Sequence, residues 1–174
     1  MEVVLRSVSA KDLEKLLDFI NTLFTDKQQG RGSQVFTGFE QGVTLEEEGD
    51  WLASRMTQIE KGDLVGVVAE ASGRIVANGN VERGQYLETR HHGELGLTVI
   101  SDYRGMGIGR EMVEVLVEQA KKMGLKNLEV EFLSTNQAAV HTYQNAGFRE
   151  VGRIPGKVYR GGKLIDSVIM AREI

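Results

Sequence analysis

No cysteine occurs among the 174 residues, and there is a single proline. Without cysteine there is no disulfide framework, no thiolate zinc site and no cysteine nucleophile to carry an acyl-enzyme. The same absence leans towards a reducing compartment. No stretch approaches the ~18 uncharged apolar residues of a membrane span, and Met1-Glu2-Val3-Val4-Leu5-Arg6 lacks the basic start and apolar run of a signal peptide. A soluble, cytoplasmic chain with no membrane partner is therefore expected. Lys/Arg blocks are missing too: 21 basic side chains against 25 acidic ones give a net charge of -4, so no nucleic-acid footprint is visible.

What remains is ordinary globular material, 41% hydrophobic and 26% charged, of a length suited to one domain spanning 1–174. After a strand over 2–8, Ser9 and Asp12 stand at N-cap and N3 spacing before Leu13, Leu16, Leu17, Ile20, Leu23 and Phe24, which predicts an amphipathic helix. Residues 26–43 show neither helical nor strand period and read as a long loop, with Phe36 and Phe39 available to an acceptor site. Thr44 and Glu47 form a capping box for a second helix whose apolar face is read as Trp51, Leu52, Met56 and Ile59. Two strands over 64–71 and 74–82 meet at Ser72-Gly73, and a third alternates through Leu95, Leu97 and Val99. A helix from Ile108 to Met123, a strand over 128–132, a short helix from Asn136 to Asn145 and a hairpin turning at Gly161-Gly162 complete the order. Two hairpins and one strand-helix-strand unit predict an α/β (α+β layered) domain, with a mixed, mostly antiparallel sheet of about 6–7 strands and helices on both faces.

Glycine is plentiful, 21 residues, and clusters at Tyr103-Arg104-Gly105-Met106-Gly107-Ile108-Gly109-Arg110 between a strand and a helix. Main-chain N–H groups and the helix dipole converge there on a place that suits an anion. Other phosphate motifs fail on spacing. Gly156-Lys157 and Gly162-Lys163 lack the Ser/Thr and the upstream glycine of a Walker loop, and Arg110 stands where GxGxxG needs its third glycine. An NAD(P) site would also need an acid ~20 residues on, for which only Glu129 and Glu131 lie near. GxSxG and HExxH are absent, and His91, His92 and His141 have no metal-ligand spacing, so no metal site is expected.

The run Arg104-Gly105-Met106-Gly107-Ile108-Gly109 resembles the (Gln/Arg)-x-x-Gly-x-(Gly/Ala) motif of the GNAT superfamily, the Gcn5-related N-acetyltransferases. Asn136, Ala139, Tyr143, Gly147 and Phe148 are similar to that superfamily's Asn-x-x-Ala-x-x-x-Tyr-x-x-x-Gly-Phe pattern. Gly162-Lys163-Leu164-Ile165-Asp166, with Met170, resembles the ribosomal-protein and phosphinothricin-type branch. The resemblance implies a GNAT-like acyl-CoA N-acyltransferase fold and acetyl-CoA as donor. Its pyrophosphate would lie on Arg104, Gly105, Met106, Gly107, Ile108, Gly109 and Arg110, and its pantetheine along Leu97, Thr98 and Val99. Asn136, Ala139 and Tyr143 would sit near the thioester.

It implies further that an acetyl group passes directly to a primary amine in a ternary complex. The acceptor is a protein N-terminus or lysine, or a small amine. Such an amine needs to lose a proton, since a lysine amine titrates at ~10.4 and an α-amine at ~7.7 to 8.0. Glu94, at the start of the strand before the glycine loop, is the expected base, with Glu82, Glu88, His91 and His92 as rivals. Tyr143 is the expected acid for the leaving thiolate. A CoA-binding module without turnover stays open beside the enzyme, as does a homodimer.

Overall fold

The computed structural model describes residues 2–31 and 41–174. Its elements run β1 (Val3–Ser7), α1 (Leu13–Gln28), α2 (Leu45–Glu60), β2 (Leu64–Ala71), β3 (Arg74–Arg83), β4 (His92–Val99), α3 (Ile108–Lys122), β5 (Asn127–Leu133), α4 (Gln137–Asn145), β6 (Arg149–Arg160) and β7 (Lys163–Glu173). The seven strands form one sheet in the order β1-β2-β3-β4-β5-β7-β6. Every neighbouring pair is antiparallel except β4 and β5. This is the mixed, mostly antiparallel sheet that the hairpins and the single strand-helix-strand unit predicted.

Helices cover both faces. Gly66 looks onto Val8 and Ile59 of α2, whereas Gly79, one register step away on β3, looks onto Leu116 of α3. Alternation along a strand turns those two positions to opposite sides. One side of the sheet therefore carries α1 and α2, and the other carries α3. Leu16, Phe19 and Leu23 of α1, Leu52 of α2, and Met112, Val113, Leu116 and Ala120 of α3 are buried against Val67, Val68, Val76 and Val81. Each fully buried side chain of this size contributes about 1.5 to 3 kcal/mol relative to exposure.

Two readings of the sequence are corrected. The stretch read as loop from residue 26 is helical at its start, because α1 continues to Gln28. Asp26 belongs to the buried stripe of that helix, Leu16, Phe19, Leu23 and Asp26, and a carboxylate on an apolar stripe hid the last turn from a periodicity argument. Trp51, read as core, is 41% exposed and carries the Arg55 guanidinium 5.7 Å from its ring centroid. The inward stripe of α2 keeps the expected Leu52, Met56 and Ile59 and adds Glu48 in place of Trp51. Phe36 and Phe39 lie outside the described residues.

The feature that shapes the site is the short partnership of β4 with β5. Only His92, Gly93 and Glu94 pair with Asn127, Leu128 and Glu129. From Leu95 onward the two strands diverge, while β4 stays paired with β3 as far as Val99 and β5 with β7 as far as Leu133. A parallel pair opening at its carboxyl ends is where clefts form in sheets of this kind.

Candidate active site

A cavity of about 630 Å³ occupies the opening between β4 and β5 and continues over the glycine loop to α4. Its walls come from Leu95–Val99, Tyr103–Gly105, Gly107–Arg110, Val130–Phe132 and Thr135–Ala139, with Thr142 and Tyr143. Every cofactor-binding residue expected from the sequence is on that wall except Met106, whose side chain is 57% exposed. Its neighbours in the turn present backbone to the cavity and Met106 projects away from it.

The glycines make the anion end. Gly105 and Gly107 hold φ of 75° and 86°, the left-handed region that costs a side-chain-bearing residue roughly 1 kcal/mol or more. Gly107 is the N-cap of α3 and supplies no side-chain cap, so the first-turn N–H groups of that helix keep no internal partner. Open N–H groups on a helix dipole form an anion seat.

Arg104 is turned away from that seat. Its Nε donates to Val99 O at 2.9 Å and its Nη1 to Arg31 O at 2.8 Å. Arg31 in turn pairs with Asp102 at 2.9 Å and with Asp26 at 2.9 Å. The second carboxylate oxygen of Asp26, a residue 1% exposed, accepts from Ser101 N at 3.0 Å. A buried carboxylate on α1 thus braces the turn that leads into the glycine loop. Sequence reasoning missed this group, and the available signal was an acid in phase with the leucines of α1.

At the other end of the cavity Tyr143 is 4% exposed. Its ring stacks on Phe132, centroids 5.6 Å apart, and meets Phe148 edge-on at 5.5 Å. Burial pushes the phenol well above its ordinary value near 10. It is a donor at any working pH, and it cannot serve as a base. Asn136 lines the cavity but its side-chain oxygen caps α4, accepting from Ala139 N at 3.1 Å. Ala139 and Leu97 supply apolar wall.

The carboxylates are arranged differently from the expectation. Glu94 is exposed and lies off the cavity wall, in register with Glu82 on one side and Glu129 on the other. Glu82 is compensated by Arg55 at 2.8 Å, and Glu129 lies 3.3 Å from His92 Nε2. Glu94 shares its face of β4 with Gly96 and Thr98, which do reach the cavity. Glu88 and His91 stand in the turn before β4, at the strand end opposite the glycine loop. Among the described residues the one acid on the cavity wall is Glu131, near the carboxyl end of β5. Burial raises its carboxyl, but the Lys157 ammonium and the Ser167 hydroxyl together outweigh burial and hold it below the usual carboxylate range.

A mixed sheet that opens between β4 and β5 above a glycine loop is the architecture of acetyl-CoA-dependent N-acetyltransferases. The family model described as acetyltransferase (GNAT) family matches residues 27–148, and the chain belongs to that family. Escherichia coli L-amino acid N-acyltransferase MnaT is 28% identical over 85 residues, 49% of each chain, so that match spans about half of either protein. The L-methionine sulfoximine/L-methionine sulfone acetyltransferase of Pseudomonas aeruginosa is 24% identical over 98% of this chain and 94% of its own. A stretch of 54 residues is 35% identical to the E. coli [ribosomal protein bS18]-alanine N-acetyltransferase, covering 31% of this chain and 36% of that one. Among solved structures, a GNAT acetyltransferase of Streptococcus pneumoniae superposes with a TM-score of 0.83 at 28% identity, over 99% and 100% of the two chains. A phosphinothricin acetyltransferase of Sinorhizobium meliloti in complex with AcCoA does so at 0.81 and 19% identity, over 100% and 89%. Both sides of the branch suggested by the C-terminal residues are represented among these relatives.

Proposed function

We propose that the chain transfers the acetyl group of acetyl-CoA to a primary amine by direct attack in a ternary complex. The observation that carries this reading is that Tyr143 and Glu131 face the same cavity as the uncapped glycine loop. The pyrophosphate of the donor is assigned to the N–H groups of 105–110. Its pantetheine amides are assigned to the edge of β4 that β5 leaves unpaired, where an extended ligand can add as a strand does. The family resemblance supplies the same assignments, and the S. meliloti relative is described with AcCoA bound.

In the transfer, the amine enters from the α1/α2 side of the sheet and loses a proton towards Glu131, directly or through water. Its nitrogen attacks the thioester carbon, the C–S bond breaks, the Tyr143 hydroxyl hands its proton to the departing sulfur and recovers one from the acylated nitrogen, and Glu131 releases its proton to solvent. Glu94 remains the alternative base: it shares the face of Gly96 and Thr98 and would act through water. Assignment to Glu131 rests on its position at the carboxyl end of the parallel pair, where the cleft opens.

The acceptor we favour is an amino-acid-like α-amine. A relative matching along nearly the full chain is named for methionine analogues, whereas the match to the ribosomal-protein enzyme covers only 54 residues. An acceptor panel of amino acids and analogues, polyamines and N-terminal peptides, read by thiol release from acetyl-CoA, tests this. Peptides outrunning every amino acid would replace the favoured acceptor. In the same assay Glu131→Gln should lower turnover by roughly 10²- to 10⁴-fold, in the range of general-base loss. A loss seen only in Glu94→Gln would transfer the role to Glu94.

A further inference from the structure

The C-terminal hairpin contains a feature that acetyl transfer to a free amine leaves unexplained. Pairing of β6 with β7 slips between Ile154 and Val158, so that Pro155, Gly156 and Lys157 stand against the single residue Asp166. The bulge is fixed at its base. Asp166 Oδ1 accepts from Gly156 N at 2.8 Å, and Asp166 O accepts from Ser134 N at 2.9 Å, which ties the hairpin to the corner after β5. Gly156 takes a φ of 60° within it. A bulge bends its strand and re-aims the side chains it carries.

Here it aims Lys157 across the sheet. β7 lies between β6 and β5, two strand spacings or about 10 Å, yet the Lys157 ammonium reaches over β7 to the Glu131 carboxylate on β5. Glu131 is the acid on the cavity wall. Lys15 and Lys121 pair instead with Glu70 on β2 and Glu118 on α3, neither of which touches the cavity. The Lys157 side chain is 41% exposed. Lys157 is not itself on the cavity wall, but a primary amine of the chain thus meets the wall carboxylate to which the proposed function brings an acceptor's ammonium.

We propose that Lys157 is a self-acetylation site: with acetyl-CoA bound and no acceptor present, its amine receives the acetyl group in cis. The proposal rests on reading this cavity as the acetyl-transfer site. Lys157 gives one proton to Glu131, its nitrogen forms the C–N bond with the thioester carbon, and the C–S bond breaks. The sulfur takes a proton from Tyr143, the second amine proton passes to the Tyr143 phenolate, and the proton held by Glu131 leaves to solvent. Charged lysine and acetyl-CoA become neutral acetyl-lysine, free CoA thiol and one released proton. Loss of the ammonium leaves Glu131 without its cation and open to an external amine.

The test is incubation of the full chain with isotopically labelled acetyl-CoA and no acceptor, followed by intact-mass and peptide mass spectrometry. Label is expected at Lys157, at a rate independent of protein concentration. Lys157→Arg should remove one label per chain, and Tyr143→Phe, checked for acetyl-CoA binding, should slow labelling at Lys157 by at least ~10-fold. No label at Lys157 overturns the proposal. So does labelling that Tyr143→Phe leaves at the wild-type rate, which marks chemical acetylation of a surface lysine. Turnover of the best external acceptor by Glu131→Gln is read separately. Loss there with Lys157 unlabelled in the wild type would sink self-acetylation while leaving the proposed function standing.

Discussion

As the proposed proton donor to the departing thiolate, Tyr143 has to be protonated when the bond breaks, and its packing favours this. Its ring lies against Phe132 and Phe148 with burial as the influence on its titration, so the neutral form persists beyond the ordinary tyrosine range near ~10. Removing only the hydroxyl keeps both ring contacts. Tyr143→Phe should therefore lower kcat by roughly 10- to 1000-fold while the KM for acetyl-CoA stays close to wild type and Tm does not fall. Steady-state kinetics over both substrates checks it. An equal rise in KM with unchanged kcat would make Tyr143 a wall of the cavity and nothing more.

At the scale of elements, α1 joins the two sides of the reaction. Asp26 at its last turn holds Ser101 N and Arg31, and Arg104 reaches back to Arg31 O. Replacing Asp26 by asparagine keeps an oxygen for Ser101 but removes the charge that Arg31 meets, and alanine removes both. The expected order is a KM for acetyl-CoA raised about 3- to 10-fold in Asp26→Asn and further in Asp26→Ala, the first lost contact being worth about 1 kcal/mol. Equal KM values in both variants would show that the brace does not act on the glycine loop. In α2, Glu48 is buried, and desolvation raises its carboxyl above the ordinary value. A carboxyl raised in the folded state works against folding once pH exceeds its unfolded value near ~4. That handicap fades as pH falls through the range where the buried group takes up its proton. Glu48→Gln should accordingly raise Tm at neutral pH, with the gain shrinking in mildly acidic buffer. A gain independent of pH would exclude this origin.

Over the whole molecule, periodicity and turn chemistry made the layers legible. Ser72-Gly73 marks the β2–β3 turn, Gly161-Gly162 the β6–β7 turn, and Thr44 with Glu47 is capped as the spacing predicts. The glycine motif and Tyr143 were readable because each sits in a local pattern tied to backbone geometry. The place of Glu131 on the cavity wall was not, because it depends on where two strands part, and pairing register is a property of the assembled sheet. The rule that clefts open at the carboxyl ends of parallel strands would have favoured it. The bulge that turns Lys157 over β7 left no local mark beyond Pro155-Gly156.

The same parting of strands predicts how the molecule responds to its donor. The sheet is continuous through β4 and β5 by only three residue pairs, and beyond them the β1–β4 and β5–β7 parts face each other across the cavity. A ligand that lies in the opening contacts both parts and binds only the assembled state, so it stabilises folding by mass action. At about 100 times its dissociation constant that linkage is worth ~2.7 kcal/mol, or roughly 5 to 10 °C in Tm for a chain of this size. CoA and acetyl-CoA should produce such a shift. NAD and ATP at equal concentration should not, since each shares the pyrophosphate with CoA but has no pantetheine arm to fill the gap beside β4. Hydrogen exchange under the same conditions should slow in Leu95–Val99 and Val130–Leu133 together. Matching shifts from NAD or ATP would mean that the glycine loop binds phosphate alone and that the opening between β4 and β5 contributes nothing to recognition of the donor.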